Sequence, residues 1–109
     1  MTESEFNDAV DDMLMVIEEV IEDCGADIDF ENVAGILTLS FENGSKVIIN
    51  RQTPVKQIWV AAKSGGYHCD YDPDRDAWFT DSDKEELFAL LSRVCSEQAN
   101  DTVVLLKGD

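Results

Sequence analysis

The sequence predicts an α+β fold in which an N-terminal and a C-terminal helix cover one face of an antiparallel sheet of about six strands. Three observations carry this. Apolar residues recur at helical spacing only near the two ends of the chain. Between them they alternate with period two, in short runs. Those runs are separated by Gly, Pro and Asn signals of tight turns, which join antiparallel neighbours. Two amphipathic helices can shield only one side of such a sheet, so its other side faces water.

The elements follow in order. Thr2-Glu3-Ser4-Glu5 fits a capping box, which satisfies two backbone donors at a helix start. Phe6, Val10, Met13, Leu14, Ile17, Val20, Ile21 and Cys24 then recur with helical period up to Gly25, predicting one helix over residues 4–24. Asp8, Asp11, Asp12, Glu19, Glu22 and Asp23 fall on its opposite side, with Glu18 at the edge. Ile28 and Phe30 alternate with Asp27, Asp29 and Glu31, a strand with one apolar and one acidic face. Leu37, Leu39 and Phe41 alternate with Thr38 and Ser40, and Asn43-Gly44 predicts a type I′ hairpin into a return strand over 46–50. Pro54 breaks the chain before a strand over 57–62. Gly65-Gly66 turns into a strand over 67–71, and Asp72-Pro73-Asp74 turns into one over 77–80. Ser82-Asp83-Lys84-Glu85 reads as a second capping box, before a helix whose Leu87, Leu90, Leu91 and Val94 share a face. Asn100 ends it, and the apolar tail Val103 to Leu106 must cover something.

The 109 residues, 44% of them apolar, suit a single domain over 1–109 with a real core. No run approaches the roughly 18 apolar residues of a membrane span. The start MTESEFNDAVDD lacks the basic character of a signal or transit peptide, so a cytoplasmic location is expected. Cys24, Cys69 and Cys95 are isolated, and the one histidine, His68, adjoins Cys69 on a strand, where neighbouring side chains diverge. Buried free thiols are expected, without a disulfide framework or a structural zinc.

Charge is the most informative feature. There are 24 acidic against 8 basic residues, a formal charge of −16, and no Lys or Arg precedes Lys46. Such a field repels nucleic acid and anionic membranes and attracts cations and basic protein surfaces. A solvated face that serves solubility is one account of it. Against that account, Glu18, Glu19, Glu22 and Asp23 crowd the negative end of the helix dipole. Glu18/Glu22, Glu19/Asp23 and Asp8/Asp12 are like-charged i,i+4 pairs, each costing about 0.2–0.5 kcal/mol. Unrewarded local conflict is the expected mark of a functional surface. Exposed carboxylates are hard oxygen ligands, suited to weak binding of hydrated divalent or trivalent cations. They equally suit a Lys/Arg-rich patch of another protein.

Other features point away from chemistry. Asp27-x-Asp29-x-Glu31 and Asp70-x-Asp72-x-Asp74-x-Asp76 resemble EF-hand loops but carry Asn32 and Arg75 where Gly is needed. No catalytic triad and no Gly-rich phosphate loop stands out, so an enzyme is not expected. Trp59 remains open: with Ile58 and Val60 toward the helices, Trp59 and Gln57 face the open side as a protein-binding anchor, whereas the reverse register buries Trp59. Trp78 is expected to pack in the core.

The segment LTLSFENGSKVIINRQTPVKQIWVAAKSGGYHCDY, residues 37–71, resembles the frataxin family in its bacterial, CyaY-type branch. Its most specific parts are Asn50-Arg51-Gln52-Thr53-Pro54, Lys56-Gln57-Ile58-Trp59 and Gly66-Tyr67. The order of acidic helix, acidic strand, sheet and second helix extends the resemblance over the whole chain. It implies a two-layer α/β sandwich and a role in iron–sulfur cluster assembly, binding iron as Fe²⁺ and Fe³⁺ weakly and regulating or supplying a cysteine desulfurase–scaffold complex. Carried over, the metal positions are Glu18, Glu19, Glu22, Asp23, Asp27, Asp29 and Glu31, extended by Asp8, Asp11 and Asp12. The desulfurase would meet Glu18, Glu19, Glu22 and Asp23, and the sheet surface would use Asn50, Gln52, Gln57 and Trp59. Val55 and Asn7 depart from positions that are polar in mitochondrial relatives and histidine in some bacterial ones. A metal-free monomer without nucleic-acid or membrane partners is expected. The rival readings are a ferroxidase or iron store on the same carboxylates, and an acidic mimic that occupies a nucleic-acid-binding protein.

Overall fold

A computed structural model describes residues 1–107. The first helix, α1 (Glu3–Asp23), opens with the reciprocal cap: the Thr2 amide donates to Glu5 Oε1 at 2.8 Å, and the Glu5 amide to Thr2 Oγ1 at 3.1 Å. Accepting the Thr2 backbone N–H holds the Glu5 carboxyl below its ordinary range. The helix stops at Cys24 because Gly25 (φ +79°) supplies the left-handed residue that turns the chain away.

Six strands follow: β1 (Ile28–Val33), β2 (Ile36–Phe41), β3 (Lys46–Gln52), β4 (Gln57–Ala62), β5 (Gly65–Asp72) and β6 (Ala77–Thr80). Their spatial order equals their chain order and every neighbour is antiparallel, a simple meander. A short 3₁₀ turn over Thr53–Val55 carries Pro54 between β3 and β4. The second helix, α2 (Leu87–Ala99), ends at Asn100 in the left-handed region. Both helices lie on one face of the sheet. The register aligns Leu37 with Ile49 and Ile49 with Val60 in one row, and Ile58 with Cys69 in the next. These side chains are buried against Phe6, Val10, Leu14 and Ile17 of α1 and Leu87, Leu90, Leu91 and Val94 of α2. Each such apolar burial contributes about 1.5–3 kcal/mol. Trp78 is buried with them, edge-on to Phe6. The tail also finds its cover: Val103 and Leu105 are buried, pinned through their backbones to the hydroxyls of Ser96 and Ser92 on α2.

Three local expectations are corrected. Asn43-Gly44 does not form the type I′ turn, since only Gly44 has positive φ there. Glu42, Asn43 and Gly44 make a three-residue loop closed by the Gly44 amide on Phe41 O at 2.9 Å. Asn43 is engaged elsewhere: Oδ1 accepts from the Ser45 amide, and Nδ2 donates to Gln98 O. The two-residue turn with both φ positive lies instead at Ala34-Gly35, joining Val33 to its partner Ile36. Gly65-Gly66 is strand, not turn, because Ala62 pairs with Gly65 and the loop is Lys63-Ser64. Ser82 to Glu85 is no capping box either. Lys84 sits at φ +57° and Glu86 still bridges Phe79, so the helix begins one residue later. The Glu86 carboxylate caps it, accepting from the amides of Phe88 and Ala89 at 2.8 and 3.2 Å.

Candidate functional site

Two surfaces are left over once the core is built: the outward side of α1, and the sheet face that the helices do not cover. On α1 the burial of Phe6, Val10, Leu14, Ile17 and Ile21 fixes the rotation of the helix, which turns the carboxylates outward. Asp8, Asp11, Asp12, Glu19, Glu22 and Asp23 are exposed, and Glu18 is half-buried at the border. At 100° per residue they fan over roughly 140° of the helix surface. Glu18 and Asp11 line the side toward the sheet, where Asn32 and Arg51 reach them. Asp12, Glu19 and Asp23 line the side toward the C-terminal tail, beside Val104, Leu106 and Lys107. The last turn contains no basic residue, so the dipole end stays uncompensated.

Two of these side chains have partners that the sequence did not reveal. Arg51, on the helix-facing side of β3, donates to Asp11 Oδ1 at 2.5 Å and also to Asn7 O and Oδ1. Asp11 is therefore already neutralised by a cation 40 positions away, and Asn7 is part of the same clamp. Glu18 Oε2 accepts from Asn32 Nδ2 at 3.3 Å, which ties the ridge to β1.

The strand acids divide differently. Ile28 and Phe30 point to the core, so Asp29 and Glu31 lie on the opposite face of the sheet from α1. The ridge thus wraps around the edge strand rather than forming one plane. Asp27, just before the pair Ile28–Phe41, meets Glu42 just after it. A shared hydrogen bond and the adjacent negative charge push the Glu42 carboxyl above its ordinary range. Among the described residues no three Asp, Glu, His or Cys side chains converge closely enough to hold a metal ion. What the ridge offers is pairs: Glu18/Glu22, Glu19/Asp23 and Asp8/Asp12, each able to contribute oxygens to a cation that keeps most of its water.

The open face settles the register of Trp59. Ile58 and Val60 are buried under the helices, and Trp59 lies on the open side, half-buried. Asn50 pairs with Trp59, and Gln52 with Gln57, so the four expected residues form two adjacent cross-strand pairs. Trp59 stacks on His68 of β5, with ring centroids 4.1 Å apart and planes 14° from parallel. Its indole N–H donates to Gln57 Oε1 at 3.0 Å. Gln57 Nε2 in turn donates to Asp70 Oδ1 at 3.0 Å and to Asp81 Oδ2 at 3.4 Å. His68, Asp70 and Asp81 belong to this surface, and no local sequence pattern marks them for it. The pairing of Trp59 with His68 follows from the two-residue turn at Lys63-Ser64, which the expected Gly65-Gly66 turn displaced by two positions.

The frataxin-like domain profile matches residues 1–101. The iron–sulfur cluster assembly protein CyaY of Pseudomonas paraeruginosa is 48% identical over 103 residues, covering 94% of this chain and 95% of that protein. The iron–sulfur cluster assembly protein CyaY of Ectopseudomonas mendocina is 46% identical over 99 residues, covering 91% of this chain and 90% of its own. The solved structure of the frataxin from Psychromonas ingrahamii superposes with a TM-score of 0.87 at 40% identity, over 95% of this chain and 97% of that one.

Proposed function

The chain belongs to the frataxin-like family, and from that premise we propose that it serves iron–sulfur cluster assembly in the cytoplasm as a non-catalytic iron-binding protein, monomeric without metal. In this reading Fe²⁺ or Fe³⁺ binds weakly to paired carboxylates of the ridge, and the same ridge grips a basic surface of a cysteine desulfurase. The open face, through Asn50, Gln52, Gln57 and Trp59, meets the scaffold protein held by that desulfurase.

The observation that carries the reading is the concentration of Glu18, Glu19, Glu22 and Asp23 on the solvent side of a helix end that holds no cation. Positive visitors relieve both the side-chain repulsion and the dipole, so each gains from the other's absence and the two compete. Glu31 and Asp29 extend the field past the edge strand, and Asp27 supplies a further carboxylate beside Glu42. Asp8 and Asp12 add charge at the other end of α1, while Asp11 is held by Arg51 and contributes least.

The test is a titration of the purified desulfurase–scaffold complex with this protein, with and without Fe²⁺, alongside ¹⁵N spectra of the protein alone. Fe²⁺ is expected to perturb the amides of Glu18 to Glu31 first. Reversing the charges of Glu18, Glu19 and Glu22 is expected to abolish docking while the fold persists. Unchanged docking by that variant overturns the ridge assignment. Iron-induced shifts confined to residues 70–76 overturn the metal site.

A further inference from the structure

We infer that the open face is built to receive an arginine side chain of a partner protein, its guanidinium held between Asp70 and Asp81 beside the Trp59–His68 stack. The inference rests on the reading that this face meets the assembly partner, and names the chemistry by which it does so. Among the described residues nothing covers the face: Ile48 is 38% exposed, Ala61 is exposed, and Trp59 and His68 are half-buried. Its charge is lopsided. Asp29, Glu31, Asp70 and Asp72 project from its strands, with Asp81 at its border, against Lys46 and Arg75.

The protein displays the proposed contact within itself. At one end of the face Arg75 lies 4.4 Å above the centre of the Phe79 ring, and its Nε stands 3.2 Å from Asp72 Oδ2. A guanidinium thus combines a carboxylate with an aromatic face. Near the centre the same components recur without the cation. Asp70 sits opposite Phe79 in the register, and Asp81 approaches His68 Nδ1 at 3.8 Å. Among the described residues neither carboxylate pairs with Lys or Arg. Both lean on one neutral donor, the Gln57 amide nitrogen. One NH₂ group offers two protons, whereas two carboxylates present about eight acceptor positions. A guanidinium has five donors in one plane, enough to span both carboxylates, and its flat face suits the adjacent rings. An ammonium can replace the charge but neither the fork nor the plane. Arginine is therefore the preferred visitor, with the Gln57 amide as the placeholder that it displaces.

Two measurements test this on the full chain. In the first, ¹⁵N spectra follow a titration with the blocked tripeptide Gly-Arg-Gly and with its Lys counterpart. The Arg peptide is expected to shift the Trp59 indole and Gln57 side-chain signals, with the Lys peptide roughly fivefold weaker. Asp70→Asn with Asp81→Asn is expected to abolish the response while the rest of the spectrum stays in place, and Asp70→Asn alone to weaken it. Equal response to both peptides, shifts confined to Glu18–Asp23, or an unchanged response in the variants overturns the inference. In the second, the double variant is titrated against the desulfurase–scaffold complex, with about tenfold weaker binding expected. Wild-type-like binding by the variant overturns the inference and leaves the proposed function standing. Failure of the wild type to bind overturns the proposed function, and the peptide result then judges the arginine site by itself.

Discussion

Replacing Glu22 and Asp23 together by lysine is expected to stabilise the protein while weakening its proposed attraction for cations and basic surfaces. Both residues are exposed in the last turn of α1, which holds no basic side chain. Each faces a like charge four residues earlier, Glu18 and Glu19. Reversal turns a repulsion of about 0.2–0.5 kcal/mol per pair into an attraction of similar size, with the acid on the favourable N-terminal side. The two lysines also complement the dipole, a gain of about 0.3–1 kcal/mol each. Together the variant is stabilised by roughly 1.4–4 kcal/mol at low ionic strength. For a chain of this size that raises the midpoint of thermal unfolding by roughly 6–17 °C. Thermal unfolding followed by far-ultraviolet circular dichroism, at about 10 mM and at about 500 mM salt, measures it. Screening is expected to shrink the difference several-fold at the higher salt. A variant that melts at or below the wild-type temperature at low salt refutes the idea that the ridge stores repulsion.

Arg51→Met is expected to cost about 2–4 kcal/mol, read from urea unfolding, because one half-buried guanidinium holds Asp11 and two acceptors of Asn7. Glu42→Gln tests the carboxyl pair with Asp27. The folded-state value of Glu42 is raised, so the native state retains its proton longer than the unfolded chain, and stability is lost as pH rises through the upper carboxylate range. The Gln variant is accordingly expected to melt higher than wild type at pH 7, with the gain vanishing toward pH 4. Equal gains at both values contradict the pairing. Cys69 and Cys95 are buried, which pushes both thiols up to about 12, whereas Cys24 is half-buried at the end of α1. A maleimide reagent at pH 7.5 is expected to label one thiol per native chain, identified as Cys24 by peptide mass, and all three only in denaturant.

The sequence read well wherever a single element decides the outcome. The first capping box, the stop at Gly25, the apolar stripe of α1 and the buried Trp78 follow from local pattern alone. The sense of Trp59 was undecidable from alternation, because both faces of β4 carry apolar residues, and only packing of Ile58 and Val60 under the helices resolves it. Turn types were the weak point. Asn43-Gly44 carries the stronger local signal, yet its asparagine is recruited by Gln98 of α2, while Ala34, with no such signal, adopts the left-handed state. Pairs distant in the chain were invisible for the same reason. Arg51 with Asp11, Gln57 with Asp81 and Trp59 with His68 depend on register and on how helix and sheet are laid together.

The placement of the cations bears on whether the crowding on α1 follows from composition. The chain has eight basic residues, five lysines and three arginines. All three arginines are engaged: Arg51 with Asp11, Arg75 with Asp72, Arg93 with Glu85 and Glu97. Among the described residues none of the lysines forms an ion pair. Lys46 lies on the open face, Lys56 and Lys63 lie in turns, Lys84 in the loop before α2, and Lys107 in the tail. Lys46 and Lys84 are exposed, as are Lys56, Lys63 and Lys107. Spare positive charge is therefore present, and the helix end that would gain most from it receives none. A surface tuned only for solubility has no reason to separate the two signs so fully, since interspersed charges solubilise equally well and repel less. The separation fits the proposed function, in which the missing cations arrive from outside, and the fold tolerates the wait because its stability rests on the apolar layer beneath the ridge.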